Sequence, residues 1–160
     1  MTSIAAEPRV AQGIEARSEL FGSLHVTDDQ VLQFKDGLVG FAECTQWILI
    51  AGERPGTAWL QSIDVAALAF LLIDPFVFFD GFSVDLSPLD VRRLRAIDAT
   101  QLAVFAIVTF PAARTEVPTA NLQGPIVINT TQRCGAQIVL GDGPWGVRHP
   151  FQLLASAARS

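Results

Sequence analysis

The sequence predicts a mainly β fold, an antiparallel pseudo-barrel of split-barrel type capped by one short α-helix. Three observations carry this expectation. Turn signals built on Gly, Pro, Asp and Asn recur every few residues, so the apolar runs are cut to strand length. Half of the 160 residues are apolar and 17% are charged, which suits one sizeable core and argues against disorder. One segment alone carries a full set of helix signals, and strands do not alternate with helices, which argues against a parallel βαβ sheet.

The elements follow in order. Residues 1–13 are Ala-rich, contain Pro8 and Gly13, and read as a flexible N-terminal extension. The barrel domain spans 14–151, and 152–160 read as a C-terminal tail. Residues 18–21 and 24–26 flank Gly22-Ser23, a tight hairpin pattern. Residues 31–34 alternate and stop at Lys35-Asp36-Gly37. Gly37 and Gly40 bracket a bend, and 41–45 read as one helical turn. Residues 47–50 form a strand ended by Gly52 and Pro55-Gly56. Residues 57–63 form the next, with Trp59 and Leu60 on opposite faces.

Residues 67–74 are apolar on both faces and precede Pro75, so they read as a central strand. Phe76, Phe78 and Phe79 then crowd one segment, as either core or an exposed interface. The helix runs over 87–95. Ser87 suits the N-cap, Pro88 the first position and Asp90 the first turn. Leu89, Leu94 and Ile97 are expected to point inward. Arg92, Arg93 and Arg95 lie toward the C-terminal end, where the dipole favours cations. Residues 102–110 form an apolar strand ended by Pro111. Residues 126–130 and 137–140 form a hairpin through 131–135, and 141–146 is loop.

Composition narrows the function. A net charge of −5 disfavours direct nucleic-acid binding. The longest apolar run, 65–73, is far short of the roughly 20 residues of a membrane span. Residues 1–16 carry Glu7, Arg9 and Glu15 and lack the apolar block of a secretory signal, so a cytoplasmic location is expected. Cys44 and Cys134 form no C-x-x-C pair and read as reduced, half-buried fillers. Between Arg54 and Arg92 there is no basic residue, yet Asp64, Asp74, Asp80, Asp85 and Asp90 fall there. They form either an acidic face for a basic partner or a set of solvated turn residues.

Catalytic equipment is thin. His25 and His149 lack a nucleophile motif, and there is one lysine, Lys35, and no tyrosine. His149 reads as a structural link near the chain end. The cysteines and histidines lack zinc-finger spacing, and Asp28-Asp29 lacks a calcium-loop pattern. Gly37/Gly40 and Gly141/Gly143 read as turns, not phosphate cradles. No cofactor or metal is expected. The reading is a binding module, not an enzyme.

Five segments, in order, resemble the FliW family of flagellar assembly factors. Phe34-Lys35-Asp36-Gly37-Leu38-Val39-Gly40-Phe41 resembles its F-x-x-G-(apolar)-x-G-F turn. Leu60-Gln61-Ser62 resembles its L-Q-S segment. Leu68-Ala69-Phe70, followed by Asp74-Pro75-Phe76, resembles its L-A-F…D-P-F strand. Asn121-Leu122-Gln123-Gly124-Pro125-Ile126-Val127-Ile128-Asn129 is similar to its N-L-x-A-P-I-V-I-N strand, with Gly124 where Ala is usual. Arg148-His149-Pro150 resembles its terminal R-H-P. Trp145 stands where Tyr is frequent, and 80–82 lacks a proline often found there.

The resemblance implies a helix-capped pseudo-barrel without catalytic activity. It implies binding of cytoplasmic flagellin and, in many bacteria, of the translational regulator CsrA, an RNA-binding repressor of flagellin synthesis. The two compete, so flagellin level feeds back on translation. Asp74, Phe76, Phe78, Phe79 and Asp80 are one candidate partner surface. The exposed side of 104–111, with Val104, Val108 and Pro111, is the other. A monomer is expected. Two other readings stand beside this one, a split barrel holding a flavin or another small ligand and a subunit that oligomerises through an edge strand.

Overall fold

The computed structural model describes residues 13–113 and 116–152. Of the extension expected over 1–13 and the tail expected over 152–160, residues 1–12 and 153–160 lie outside the described residues, and Gly13 opens the first strand. In chain order the elements are β1 (Gly13–Ser18), β2 (Gly22–Thr27), β3 (Leu32–Gln33), β4 (Gln46–Ala51), β5 (Thr57–Ser62), β6 (Ala69–Ile73), α1 (Pro75–Phe78), α2 (Pro88–Arg93), β7 (Leu102–Thr109), β8 (Thr119–Asn129), β9 (Cys134–Gln137) and β10 (His149–Pro150).

Strands β3 to β9 form a closed barrel. Consecutive strands from β3 to β8 pair antiparallel, β9 folds back antiparallel on β8, and β9 meets β3 to close the ring. The expected β-rich, helix-capped barrel is therefore what the chain forms, with two refinements: it carries two short helices, α1 and α2, where one was expected, and its closing junction differs. The closing junction is parallel and rests on a single register pair, Gln33↔Cys134.

The lumen is packed. Phe34, Trp47, Leu60, Leu72, Ile126 and Ile128 fill it and are essentially inaccessible to solvent. Trp47 lies edge-on to Phe34, and its indole N–H donates to the Cys44 carbonyl at 2.9 Å, so its one polar atom is satisfied. Alternation sends the other side chains of the same strands outward. There they are covered by three outer layers. The β1–β2 hairpin lays Ala16 and Val26 against Ile48. Around α2, Leu94 packs with Val127, Ala136 and Ile138. The α1 segment and the C-terminal strand cover Leu71, Ile73, Val108 and Leu122.

Strand β8 organises one side of the molecule. It pairs with β7 along its length, with β9 at one end and with β10 at the other. Its register against β7 jumps from Phe105↔Ile126 to Ile107↔Asn121, a wide bulge holding Leu122, Gln123, Gly124 and Pro125. The side-chain Oδ1 of Asn121 accepts from the N–H groups of Gln123 and Gly124 at 3.0 and 2.9 Å. Gln137 Nε2 donates to the Gly124 carbonyl at 3.0 Å. Backbone groups lost to the ladder thus find side-chain partners.

Several local expectations are corrected. The first hairpin turns at Glu19, Leu20 and Phe21 and not at Gly22-Ser23, because the Ser18 hydroxyl accepts from the N–H groups of Leu20 and Phe21 at 3.1 and 3.0 Å. From Phe41 the chain makes a single turn closed by the Cys44 N–H on the Phe41 carbonyl at 3.1 Å, directly after the Leu38↔Phe41 bridge, and no helix is formed. Strand β9 begins at Cys134, where a turn was expected. The α2 cap is as expected, with Ser87 Oγ accepting from the Asp90 N–H and the Asp90 carboxylate accepting from the Ser87 N–H, both at 3.1 Å. Of its expected inward residues only Leu94 is buried. Leu89 is 58% exposed because six residues of helix present few inward positions, and Ile97 is 90% exposed because it lies beyond the helix and its C-cap, Leu94.

Candidate protein-binding surface

The segment after β6 is built by one side chain. The Asp74 carboxylate accepts the Phe76 N–H at 2.9 Å, and Pro75 supplies the first helical φ. The Asp74 N–H donates to the Gly56 carbonyl at 2.8 Å, which ties α1 to the turn between β4 and β5. A helix of four residues cannot bury a continuous stripe. It turns Phe76 and Val77 outward, 52% and 65% exposed, and leaves Phe78 and Phe79 half-buried.

Beneath them runs an unbroken chain of seven rings. Phe76 meets Phe82, Phe82 meets Trp145, Trp145 meets His149, His149 meets Phe79, Phe79 meets Phe151, and Phe151 meets Phe78, with centroids between 5.3 and 6.1 Å apart. Nearly all are edge-to-face, the arrangement the ring quadrupoles favour. The chain rests on Leu71, Ile73, Val108 and Leu122. Alongside lies a groove of about 340 Å³ floored by Trp59 and Leu71 and flanked by Leu20 and Phe21. Phe21 sits edge-on to Trp59 at 5.9 Å, and Leu20 is 57% exposed. The floor is continuous with the cluster under α1, since Trp59 and Leu71 belong to both.

The sequence-derived candidates divide here. Phe76 is exposed at one end of the ring chain, while Phe78 and Phe79 are half-buried members of it. Asp74 is a helix cap. Asp80 is exposed and forms no ion pair among the described residues. The second stretch is corrected. Val108 is 6% exposed and Val104 is half-buried, both packed in the outer cluster, because the α1 segment and the C-terminal strand cover that face of β7. Pro111 is half-buried, and the exposed apolar residue there is Phe110. Val77, Leu20 and Phe21 were missed. Their signal was an apolar residue placed against a turn with no alternation to bury it.

The acidic segment also divides. Asp64 accepts from the N–H groups of Thr45 and Gln46, and Asp74 and Asp90 cap helices, so these three are turn chemistry. Asp80 and Asp85 are exposed. His149 Nε2 accepts the Gly146 N–H at 2.6 Å, the structural link expected of it. His25 Nδ1 meets Glu15 Oε2 at 2.9 Å on an exposed hairpin face. Both cysteines are free and more deeply buried than expected, at 4% and 7% exposure. Thr100 holds the Asp98 carboxyl below the usual range by donating its N–H and hydroxyl. Among the described residues no three metal-ligating side chains cluster, and no helix is long and apolar enough to cross a membrane.

Comparison with known proteins agrees with this architecture. A family model described as FliW protein matches residues 15–151. The flagellar assembly factor FliW of Treponema denticola is 34% identical over 145 residues, covering 91% of this chain and 98% of the relative. That of Moorella thermoacetica is 35% identical over 137 residues, covering 85% and 87%. A crystal structure of the flagellar assembly factor FliW matches with a TM-score of 0.80 at 30% identity, over 86% of this chain and 96% of that one.

Proposed function

The chain belongs to the FliW family of flagellar assembly factors, and on that premise we propose that it binds cytoplasmic flagellin through the α1 surface and antagonises the translational regulator CsrA. The role is non-enzymatic. Flagellin and CsrA compete for the protein, so the level of free flagellin sets the rate of its own translation.

The observation that carries this reading is the exposed apolar pair Phe76 and Val77 seated on the ring chain. Rings locked by their neighbours lose little side-chain entropy when a partner covers them. Central aromatic anchors with an adjoining groove are the common anatomy of a protein-binding hot spot. Asp80 beside Phe79 places a free carboxylate at the rim, where charge steers a basic partner. A flavin or other small ligand would find no room inside the barrel, where Trp47, Phe34 and Leu60 fill the lumen.

Co-purification with the cognate flagellin tests the first step, and displacement of bound CsrA by added flagellin tests the second. Absence of a flagellin complex at about 1 µM would overturn the binding claim. CsrA that stays bound at saturating flagellin would overturn the coupling.

A further inference from the structure

Where the C-terminal end of α2 leans over the seam between β3 and β9, there is a cleft of about 370 Å³. Its floor is the buried run Cys134, Gly135 and Ala136. Its walls carry Lys35, Arg92, Arg93 and Arg95. The chain has 11 lysines and arginines and a net charge of −5. Four of its cations, including the single lysine, therefore gather at one cleft of an acidic protein. We propose that this cleft is a docking site for an acidic, extended segment of a protein partner.

One of the four charges, that of Arg93, is paired internally. Arg93 pairs with Asp36 at 3.0 Å and reaches Asp90 at 3.6 Å. Arg95 donates to the Gln132 carbonyl at 3.4 Å. Lys35 and Arg92 are exposed and have no acidic partner among the described residues. Mutual repulsion among clustered cations raises the local potential and favours an incoming anion.

The backbone adds an independent argument. Arg95 follows the last helical turn in a left-handed conformation, φ +52. This is the position where glycine usually ends a helix without strain. An arginine there gives up local stability and places a guanidinium at the cleft. The αL backbone is held from both sides, by Asn129 Nδ2 donating to the Leu94 and Arg95 carbonyls at 2.8 and 3.2 Å and by Cys134 Sγ donating to the Leu94 carbonyl at 3.3 Å.

The lining chooses the chemical class. No aromatic residue lines the cleft, so unpaired bases would have no stacking platform. Asp36 stands among the cations and would repel a continuous phosphate track. Guanidinium forks separated by a carboxylate suit spaced Asp and Glu side chains, which they bind through paired hydrogen bonds. The cleft and the α1 surface share no lining residue, and the test of the cleft uses no flagellin, so the two proposals fail separately.

The experiment is fluorescence anisotropy with a labelled octapeptide of alternating Glu and Asp, at about 50 mM salt and again at about 300 mM. Saturable binding that weakens with salt, and at least about tenfold with Lys35→Ala/Arg92→Ala, supports the site. Arg95→Gly should also weaken binding while leaving the thermal midpoint equal or higher, which separates loss of the site from loss of the fold. No saturation by about 1 mM peptide, equal affinity in the variants, or a 12-nucleotide single-stranded RNA binding more tightly than the peptide would each overturn the proposal.

Discussion

At the scale of single residues, the polar side chains in the motif segments are anchors more than contacts. Gln61 is fully buried on β5, accepts the Ser18 hydroxyl at 2.7 Å and donates toward the carbonyls of Ser62, Ala66 and Leu68 at 2.9 to 3.3 Å. It fastens the first hairpin and the β5–β6 connection to one point. Gln61→Leu keeps the bulk and orphans these partners, so it should lower unfolding stability by about 1–3 kcal/mol in urea titration. Arg95→Gly relieves a left-handed backbone and should leave stability unchanged or higher by up to about 1 kcal/mol in the same assay. For Asp98, hydrogen bonds from Thr100 favour the ionised form. A folded-state pKa below the unfolded one means its contribution is complete above the ordinary aspartate range and is lost as pH falls through the folded value. Its carboxyl resonance should titrate below an unstructured aspartate; a midpoint at or above that value would contradict the assignment.

At the scale of elements, α1 and the β3–β9 seam are the points of leverage. Asp74→Ala removes the cap of a four-residue helix, and the loss should be about 1 kcal/mol of stability. Because the cap also aims Phe76 and Val77, the same variant should weaken flagellin binding more than its stability change explains, as read by titration at a temperature where it stays folded. At the seam, a Cβ on Gly135 would lie 2.4 to 2.9 Å from the ring of Phe34, which is wholly buried in the lumen. Gly135→Ala must therefore push that ring or open the single parallel junction. It should cost about 1–3 kcal/mol and lower the melting temperature.

Legibility follows the same division. Strands bounded by Gly and Pro, and the Ser87/Pro88/Asp90 cap, were readable because their causes are local in sequence. The helix α1 was not, since four residues give no period, although Asp74-Pro75 was a readable N-terminus. The inward and outward faces of β7 were not readable either. Both are apolar, and which one stays exposed depends on the α1 segment and β10 arriving from elsewhere in the chain. The basic cleft was invisible as a cleft because Lys35, Arg93 and Ala136 meet only when α2 and β9 pack together.

At the scale of the whole molecule, the chain is a barrel filled by its own side chains and wrapped by three outer layers. Recognition is left to what the wrapping exposes. The ring chain is a packed platform with Phe76 exposed at one end, and a packed platform suits the proposed competition because a partner would cover it without remodelling the barrel. Titration calorimetry of the purified chain with its cognate flagellin, repeated with Val77→Asp, tests this account most directly. Val77 is 65% exposed, so a charge there is harmless to the fold and harmful to an apolar contact. The account predicts binding near or below about 1 µM for the native chain and a loss of at least about tenfold for the variant, with equal melting temperatures. Equal affinity of the two proteins for flagellin, or no binding by either, would contradict it.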